Sequence, residues 1–290
     1  MTRRDFLAAA GAAPLAMQAA AAQPQLCIFS KHMASLNYED LGREAKRIGF
    51  DGVDLTVREK GHVLPPRAAE DMPRAVEAIR AAGLSVPMIT TNLVSALDPT
   101  ARPILSTAAR LKIPYFKPGY SYYRNESIEK TVEIARSATG GLVELGKEYG
   151  IEAGYHNHSG SYVGAAVWDT RSMIVSMDPR WIGYYFDPAH ATIEGGLGGW
   201  KISLDIVLPR LKMVAIKDFY WEKSGGKWKL TWCPLGEGMV DWQGVFAAFA
   251  RARFSGPISL HVEYHTTDEM AAIARDFEFM KKQTQAAYRT

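Results

Sequence analysis

Residues 150–158, GIEAGYHNH, hold a helix stop, a short apolar run and a polar cluster, in that order. A glycine after an amphipathic stretch is typical of a helix C-terminus, and the apolar run predicts a buried parallel strand. Barrels of alternating strands and helices keep their chemistry at the carboxyl ends of such strands. This stretch therefore predicts one strand of a barrel, with His156 and His158 at its functional end.

The same order of apolar run and amphipathic stretch occurs eight times. Strands are predicted at 26–29, 52–57, 85–89, 114–117, 151–156, 182–187, 213–217 and 257–263. Helices are predicted near 38–48, 68–82, 101–111, 128–149, 169–177, 199–208, 242–253 and 268–286. Eight such units predict a single-domain (β/α)8 TIM barrel. A doubly wound open sheet is the alternative, but no glycine-rich phosphate fingerprint follows the first strand.

Composition and the N-terminus limit the class of protein. The chain has 290 residues, 47% hydrophobic and 22% charged, with a net charge of +3 and no dense Lys/Arg stripe, so no nucleic-acid partner is expected. Arg3 and Arg4 precede a weakly apolar run that ends at Ala22, which predicts a twin-arginine signal peptide over 1–22 and the barrel over 23–290. A disordered Ala-rich tail is the alternative. The expected location is periplasmic or secreted, without a membrane anchor. No pattern sets an oligomeric state.

A long segment, 218–241, separates the seventh strand from the seventh helix. Aromatic residues on either side of Gly225 and Gly226 predict a small hairpin over the barrel mouth. This hairpin is either a lid or aromatic platform for a sugar ring, or it packs its own aromatic side chains. Cys27 and Cys233 are expected to be unpaired.

Polar side chains follow almost every predicted strand, and six of the seven histidines are among them. The candidate site residues are His32, Arg58, His62, Lys117, Tyr122, His156, His158, Asp187, His190, Lys217, His261 and Glu263. Because the carboxyl ends of barrel strands meet at one rim, this distribution favours an enzyme.

A metal ion needs three or four N or O ligands from different strands, and His156, Asp187 and His261 form a possible set. The alternative is that these histidines are hydrogen-bonded core residues. Lys117 and Lys217 end buried strands, where burial favours a neutral amine suited to base or carbonyl-binding work. For Lys217, an ion pair with Asp187 is equally consistent with the sequence.

Several motifs together resemble the xylose isomerase-like TIM barrel superfamily, in its exported bacterial members of the sugar phosphate isomerase/epimerase type. The motifs are 49–54 (GFDGVD), 155–158 (YHNH), 186–190 (FDPAH), 216–218 (IKD) and 235–238 (LGEG). The resemblance implies a divalent metal, often manganese, held by Glu, Asp, His and Glu from strands five to eight, with the two glutamates moving a proton. The matching positions here are His156, Asp187, Ala215 and His261, so only the aspartate is retained. His190 matches a histidine that contacts substrate.

Together these features predict a sugar or keto-sugar isomerase or epimerase that abstracts a proton next to a carbonyl, with a divalent metal such as manganese or zinc. The predicted acid/base residues are His158, His190, Lys217 and Glu263. The predicted substrate contacts are His32, Arg58, His62, Lys117 and Tyr122. A lyase acting on a 3-keto-glycoside and a catalytically inert sugar-binding barrel are the alternatives.

Overall fold

A computed structural model describes residues 22–289, and they form one closed barrel of eight parallel strands. The barrel strands are β1 (Leu26–Phe29), β2 (Gly52–Val57), β3 (Ser85–Thr91), β4 (Tyr115–Lys117), β5 (Glu152–His156), β6 (Ile182–Phe186), β7 (Leu211–Ile216) and β10 (Ile258–Leu260). The helices are α1 (Tyr38–Ile48), α2 (Ala68–Ala81), α3 (Ala101–Arg110), α4 (Ile128–Tyr149), α5 (Val167–Ile174), α6 (Pro188–Val207), α7 (Trp242–Arg251) and α8 (Glu269–Tyr288). The predicted TIM barrel is confirmed.

The helix ends follow the local sequence signals. Asn37 caps α1 by accepting a hydrogen bond from the backbone N–H of Asp40 at 2.8 Å. Gly49 and Gly150 end α1 and α4 with φ of +116° and +75°, a conformation that side chains with a Cβ rarely adopt. These local stops set where β2 and β5 begin. The predicted signal peptide lies outside the described residues, apart from Ala22.

The barrel interior is filled by side chains and is not a pore. Met88, Tyr185, Met213 and Ala215 form a buried cluster inside it, while the larger apolar core lies between the strands and the helices. Gly154 makes room for this packing, because a Cβ at that position would lie 2.1 Å from the Met213 methyl group. The filled interior confines any reaction to the mouth of the barrel.

Several predicted boundaries differ from the observed ones by a few residues, and the differences at α6 and β10 concern the site. Helix α6 begins at Pro188 and not near Gly199, because Pro188 occupies the first helical turn and Asp187 caps it. Gly196 (φ 59°, ψ −160°) interrupts α6, so the predicted helix near 199–208 corresponds to the part of α6 that follows this kink. Strand β10 ends at Leu260, so His261 lies just beyond the strand.

The segment after β7 forms the predicted hairpin, with β8 (Asp218–Ser224) antiparallel to β9 (Lys227–Cys233). Trp221 and Trp228 are exposed on it, with relative exposures of 41% and 66%. Cys27 and Cys233 are both free. Among the described residues, no helix is both long and apolar enough to cross a bilayer.

Candidate active site

Asp187 lies at the carboxyl end of β6, fully buried, and is the residue that joins β6 to α6. Its Oδ1 accepts the backbone N–H of His190 at 3.0 Å and so caps α6. The loop is held by Asn157, whose side chain accepts the Asp187 N–H at 2.8 Å and donates to the Asp187 carbonyl at 3.0 Å. These bonds fix the direction of Oδ2.

Three nitrogen atoms surround Oδ2 of Asp187. The Lys217 Nζ lies 3.2 Å away, His156 Nε2 3.4 Å and His190 Nε2 3.8 Å. The sequence left an ion pair and a neutral amine open for Lys217, and the structure has the ion pair. Burial alone would raise the pKa of Asp187, but Lys217 and the two histidines hold that pKa well below its usual value. The mouth therefore contains a carboxylate and an ammonium group in contact.

The histidines around this pair are neutral at neutral pH. Burial lowers the pKa of His156 to about 3 and that of His190 well below its ordinary value, and the charge of Lys217 adds to both effects. Tyr120 bonds its hydroxyl to Nδ1 of His156. Oδ2 of Asp187 and the Nε2 atoms of His156 and His190 are sealed from solvent, and none of the three has a hydrogen-bond partner in residues 22–289, so the contact of Oδ2 with Lys217 is an ion pair without a hydrogen bond.

His158 differs because its hydrogen bond determines its tautomer. Nδ1 lies 2.9 Å from the carbonyl oxygen of Ser159, which can only accept, so Nδ1 carries the proton. Burial and the charge of Lys217 lower the pKa of His158 to about 4, so Nε2 is left as a free acceptor at neutral pH. His158 is only partly buried, unlike His156 and His190.

Two further groups line the same space. Lys217 lies over the Trp232 ring of the hairpin, 5.0 Å from its centroid, and Trp232 also contacts His190 edge-on at 5.6 Å. Lys117 is 2% exposed, with Nζ 3.5 Å from the centroid of the Tyr120 ring. Burial, and then the charge of Arg58, lower the pKa of Lys117 well below its usual value.

The other predicted residues lie around the rim. His261 stacks on Phe29 at 4.3 Å, with His32 at 6.1 Å, and the guanidinium of Arg58 lies 5.3 Å from the centroid of the Phe29 ring. Outside this group, Glu263 forms an ion pair with Lys31 at 2.8 Å, and the His62 backbone N–H donates to Thr56 at 2.9 Å. Tyr122, 43% exposed, packs on Tyr162 and is the most peripheral of the predicted set.

The structure adds residues that the sequence did not single out as site residues. Asp54 is fully buried inside the barrel and accepts hydrogen bonds from Thr90 at 2.7 Å, Ser259 at 2.9 Å and Tyr185 at 3.0 Å. Tyr185 also lies 3.1 Å from Nε2 of His261. The available signals were an acidic residue in the mainly apolar strand β2 and its place at the end of the 49–54 motif.

A family model for the xylose isomerase-like TIM barrel matches residues 43–283. The chain belongs to this family. Its fold is similar to 3-keto-D-glucoside 4-epimerase from E. coli (TM-score 0.71, 15% identity, 90% of this chain and 100% of that chain). It is similar to a D-allulose 3-epimerase from Methylomonas sp. in complex with D-allulose (TM-score 0.70, 14% identity, 90% of this chain and 98% of that chain). It is also similar to a xylose isomerase-like TIM barrel protein from Mycobacterium smegmatis in complex with magnesium (TM-score 0.69, 16% identity, 94% of this chain and 100% of that chain). No curated protein sequence matches the chain.

The family resemblance implies a metal, but the side chains here do not fit one. Within residues 22–289, no group of three or more His, Cys, Asp or Glu side chains is arranged to hold a metal ion. The ammonium of Lys217 already lies against the Asp187 oxygen that would bind the metal. Nε2 of His261 contacts Tyr185, and residue 215 is alanine. The cation beside Asp187 is therefore a lysine.

Proposed function

We propose that this barrel is a sugar or keto-sugar isomerase or epimerase that abstracts a proton from the carbon next to a carbonyl group. One observation carries the proposal: a neutral histidine with a free acceptor nitrogen, His158, and the ammonium group of Lys217 belong to the same barrel mouth. The sugar epimerases among the similar folds support the substrate class.

The proposed step needs a base and a group that stabilises negative charge. Nε2 of His158 takes the proton, and the electron pair of the broken C–H bond moves onto the carbonyl oxygen, giving an enediolate. Lys217, held in place by Asp187, donates to that oxygen. In reactions of this kind, a preorganised donor at the developing oxyanion commonly lowers the barrier more than any other single interaction.

Solvent exchange tests this step. With 3-keto-glucosides and ketohexoses as probes in D2O, the wild-type protein is expected to place deuterium on the carbon next to the carbonyl, measured by NMR. Replacing His158 with Gln should slow exchange by about 10²-fold or more. Asp205→Asn, a change at an exposed residue of α6, is the control and should exchange at the wild-type rate. Binding of a probe without any exchange would instead favour the inert sugar-binding barrel.

β-Elimination from a 3-keto-glycoside is the second candidate, since it begins with the same proton abstraction. A cavity of about 630 Å³, lined by Tyr220, Trp232, Tyr264 and Arg275, lies on the hairpin side of the mouth. Trp232 belongs both to this cavity and to the contacts of Lys217, so a second sugar or aglycone has room beside the reacting ring. Release of free aglycone, detected by mass spectrometry, identifies elimination, whereas epimerisation conserves the mass of the substrate.

The side-chain geometry also leads to a prediction about metal content. We expect purified protein to contain well under one equivalent of manganese, zinc or magnesium by inductively coupled plasma mass spectrometry, because Lys217 takes the place of the cation. Activity should survive dialysis against a chelator. One equivalent of metal that is lost in a folded Asp187→Asn variant would instead support the ligand set His156, Asp187 and His261.

Export to the periplasm remains a proposal from the Arg3-Arg4 motif, which cell fractionation tests.

A further inference from the structure

Two basic side chains at the barrel mouth have no acidic partner among residues 22–289. Lys117 ends β4 and is 2% exposed, with Nζ 3.5 Å from the centroid of the Tyr120 ring. Arg58 follows β2 at a half-buried position, with its guanidinium carbon 5.3 Å from the centroid of the Phe29 ring. Nζ of Lys117 donates no hydrogen bond within the described chain and is not one of the atoms sealed from solvent, so it can be reached from the mouth. The proposed proton abstraction uses neither side chain.

The two basic groups belong to the same part of the rim. Thr56, Thr90 and Lys117 are aligned across the neighbouring strands β2, β3 and β4, and Arg58 lies two residues beyond Thr56. After burial, the charge of Arg58 is the strongest influence on the pKa of Lys117, which it lowers. The charge of Lys217 acts on that pKa in the same direction. The two groups therefore lie beside the lysine that would hold the carbonyl oxygen of the substrate.

The acidic groups in this region already have other partners. Asp54, whose charge also acts on Lys117, accepts hydrogen bonds from three hydroxyl groups. Glu263 and Asp187 each form an ion pair with a lysine, at 2.8 and 3.2 Å. Buried charges in proteins are usually paired, because an isolated one is costly to remove from water. We therefore expect the negative charge that faces Arg58 and Lys117 to come from a ligand.

We propose that Arg58 and Lys117 form a carboxylate-binding subsite, so that the substrate is a sugar acid with a keto group towards one end and a carboxylate at the other. The proposal rests on the proposed function, since Lys217 would hold the keto group. The planar fork of an arginine matches the two oxygens of a carboxylate, and a lysine amine donates a further hydrogen bond.

The charges favour a carboxylate over a phosphate ester. Burial lowers the pKa of Lys117 well below its usual value, so Arg58 supplies the one fixed positive charge of the subsite. One fixed positive charge balances a carboxylate and leaves a doubly charged phosphate ester partly uncompensated.

Matched ligands test the subsite by calorimetry, without any turnover. D-Fructose, D-fructuronate and D-fructose 6-phosphate share a ketone and end in a hydroxymethyl, a carboxylate and a phosphoester group. Wild-type protein is expected to bind fructuronate about 10- to 10²-fold more tightly than fructose. Arg58→Gln and Lys117→Met should each remove most of this preference. Arg124→Gln is the matched control, because Arg124 is an exposed arginine in the segment between β4 and α4, and this variant should keep the preference.

Three results would overturn the proposal. The first is equal affinity of the wild type for fructose and fructuronate, and the second is a preference that survives in Arg58→Gln. The second can be measured even if Lys117→Met does not fold, since Arg58 is only half-buried. The third is tighter binding of fructose 6-phosphate than of fructuronate, which would reject a carboxylate as the ligand group.

Deuterium exchange separates this proposal from the proposed function. If fructuronate binds with the expected preference but exchanges no proton in D2O, the proposed function fails and the carboxylate-binding subsite stands. If fructose and fructuronate exchange equally well and bind equally well, the subsite fails and the proposed function stands.

Discussion

Replacing Asp187 with Asn is expected to lower kcat/KM by about 10²- to 10³-fold, the cost of removing one preorganised donor from an oxyanion site. Asp187 need not touch the substrate for this effect. Its Oδ2 holds the Lys217 ammonium at 3.2 Å, and a neutral amide has no charge with which to hold it. Lys217 then loses the orientation that the reaction uses, although its own side chain is unchanged.

The measurement is steady-state kinetics on the best substrate from the exchange experiments. Asp205→Asn makes the same chemical change at an exposed residue of α6 and should retain wild-type kinetics. Circular dichroism checks that the Asp187 variant is folded, because the amide oxygen of Asn can still cap α6. A folded Asp187→Asn protein with full activity would remove this cluster from the mechanism.

Replacing Lys217 with Met is expected to lower the free energy of unfolding by about 3–5 kcal/mol at pH 7, since it leaves a buried carboxylate without its partner. Asp187 is 0% exposed and cannot regain water in the folded state. The double variant Lys217→Met/Asp187→Asn should recover most of the loss, because both charges are then absent. Lys227→Met, at an exposed position of the hairpin, is the control and should change stability little.

The same variant should show a distinct dependence on pH. In the wild-type protein the pKa of Asp187 is depressed, so its stabilising contribution is present above the unfolded pKa of about 4 and is lost as the pH falls through the folded pKa. Without Lys217, burial raises the pKa of the carboxyl group, and the penalty grows as the pH rises through that value. Urea denaturation should therefore show a large difference in the free energy of unfolding between the wild type and Lys217→Met at pH 7, and a small difference near pH 4. A difference independent of pH would contradict a buried charge as the cause.

Sequence patterns predicted most of the barrel because its signals are local. A glycine stop and an apolar run lie within a few residues of each other, as at Gly150 and β5. Helix α6 was mispredicted at its start, because Asp187 and Pro188 form a helix cap directly after β6 while the glycines around Gly196 break the periodic pattern between that cap and the predicted range 199–208. A local pattern is thus sufficient where one signal dominates and fails where two compete.

The sequence predicted which residues lie at the barrel mouth better than it predicted the contacts between them. The strand-end rule brought His156, Asp187 and Lys217 together, but the choice between ion pair and neutral amine depends on distances in space. The bonds of Tyr185 to Asp54 and His261 join residues 131 and 76 positions apart, a separation at which no spacing rule applies. These contacts form only in the folded barrel, so the sequence alone does not show them.

The two oxygens of Asp187 have different tasks, since one caps α6 and the other faces Lys217. The first turn of α6 and the ion pair of Asp187 with Lys217 consequently depend on the same carboxylate. A surface substitution that loosens this turn would affect the reaction by displacing the Asp187 carboxylate, even though the substituted residue lies far from any bound sugar. Attempts to stabilise or redesign the protein around Pro188 would thus alter its catalysis, while exposed positions of α6 beyond Gly196, such as Lys201 and Asp205, can be changed without this effect.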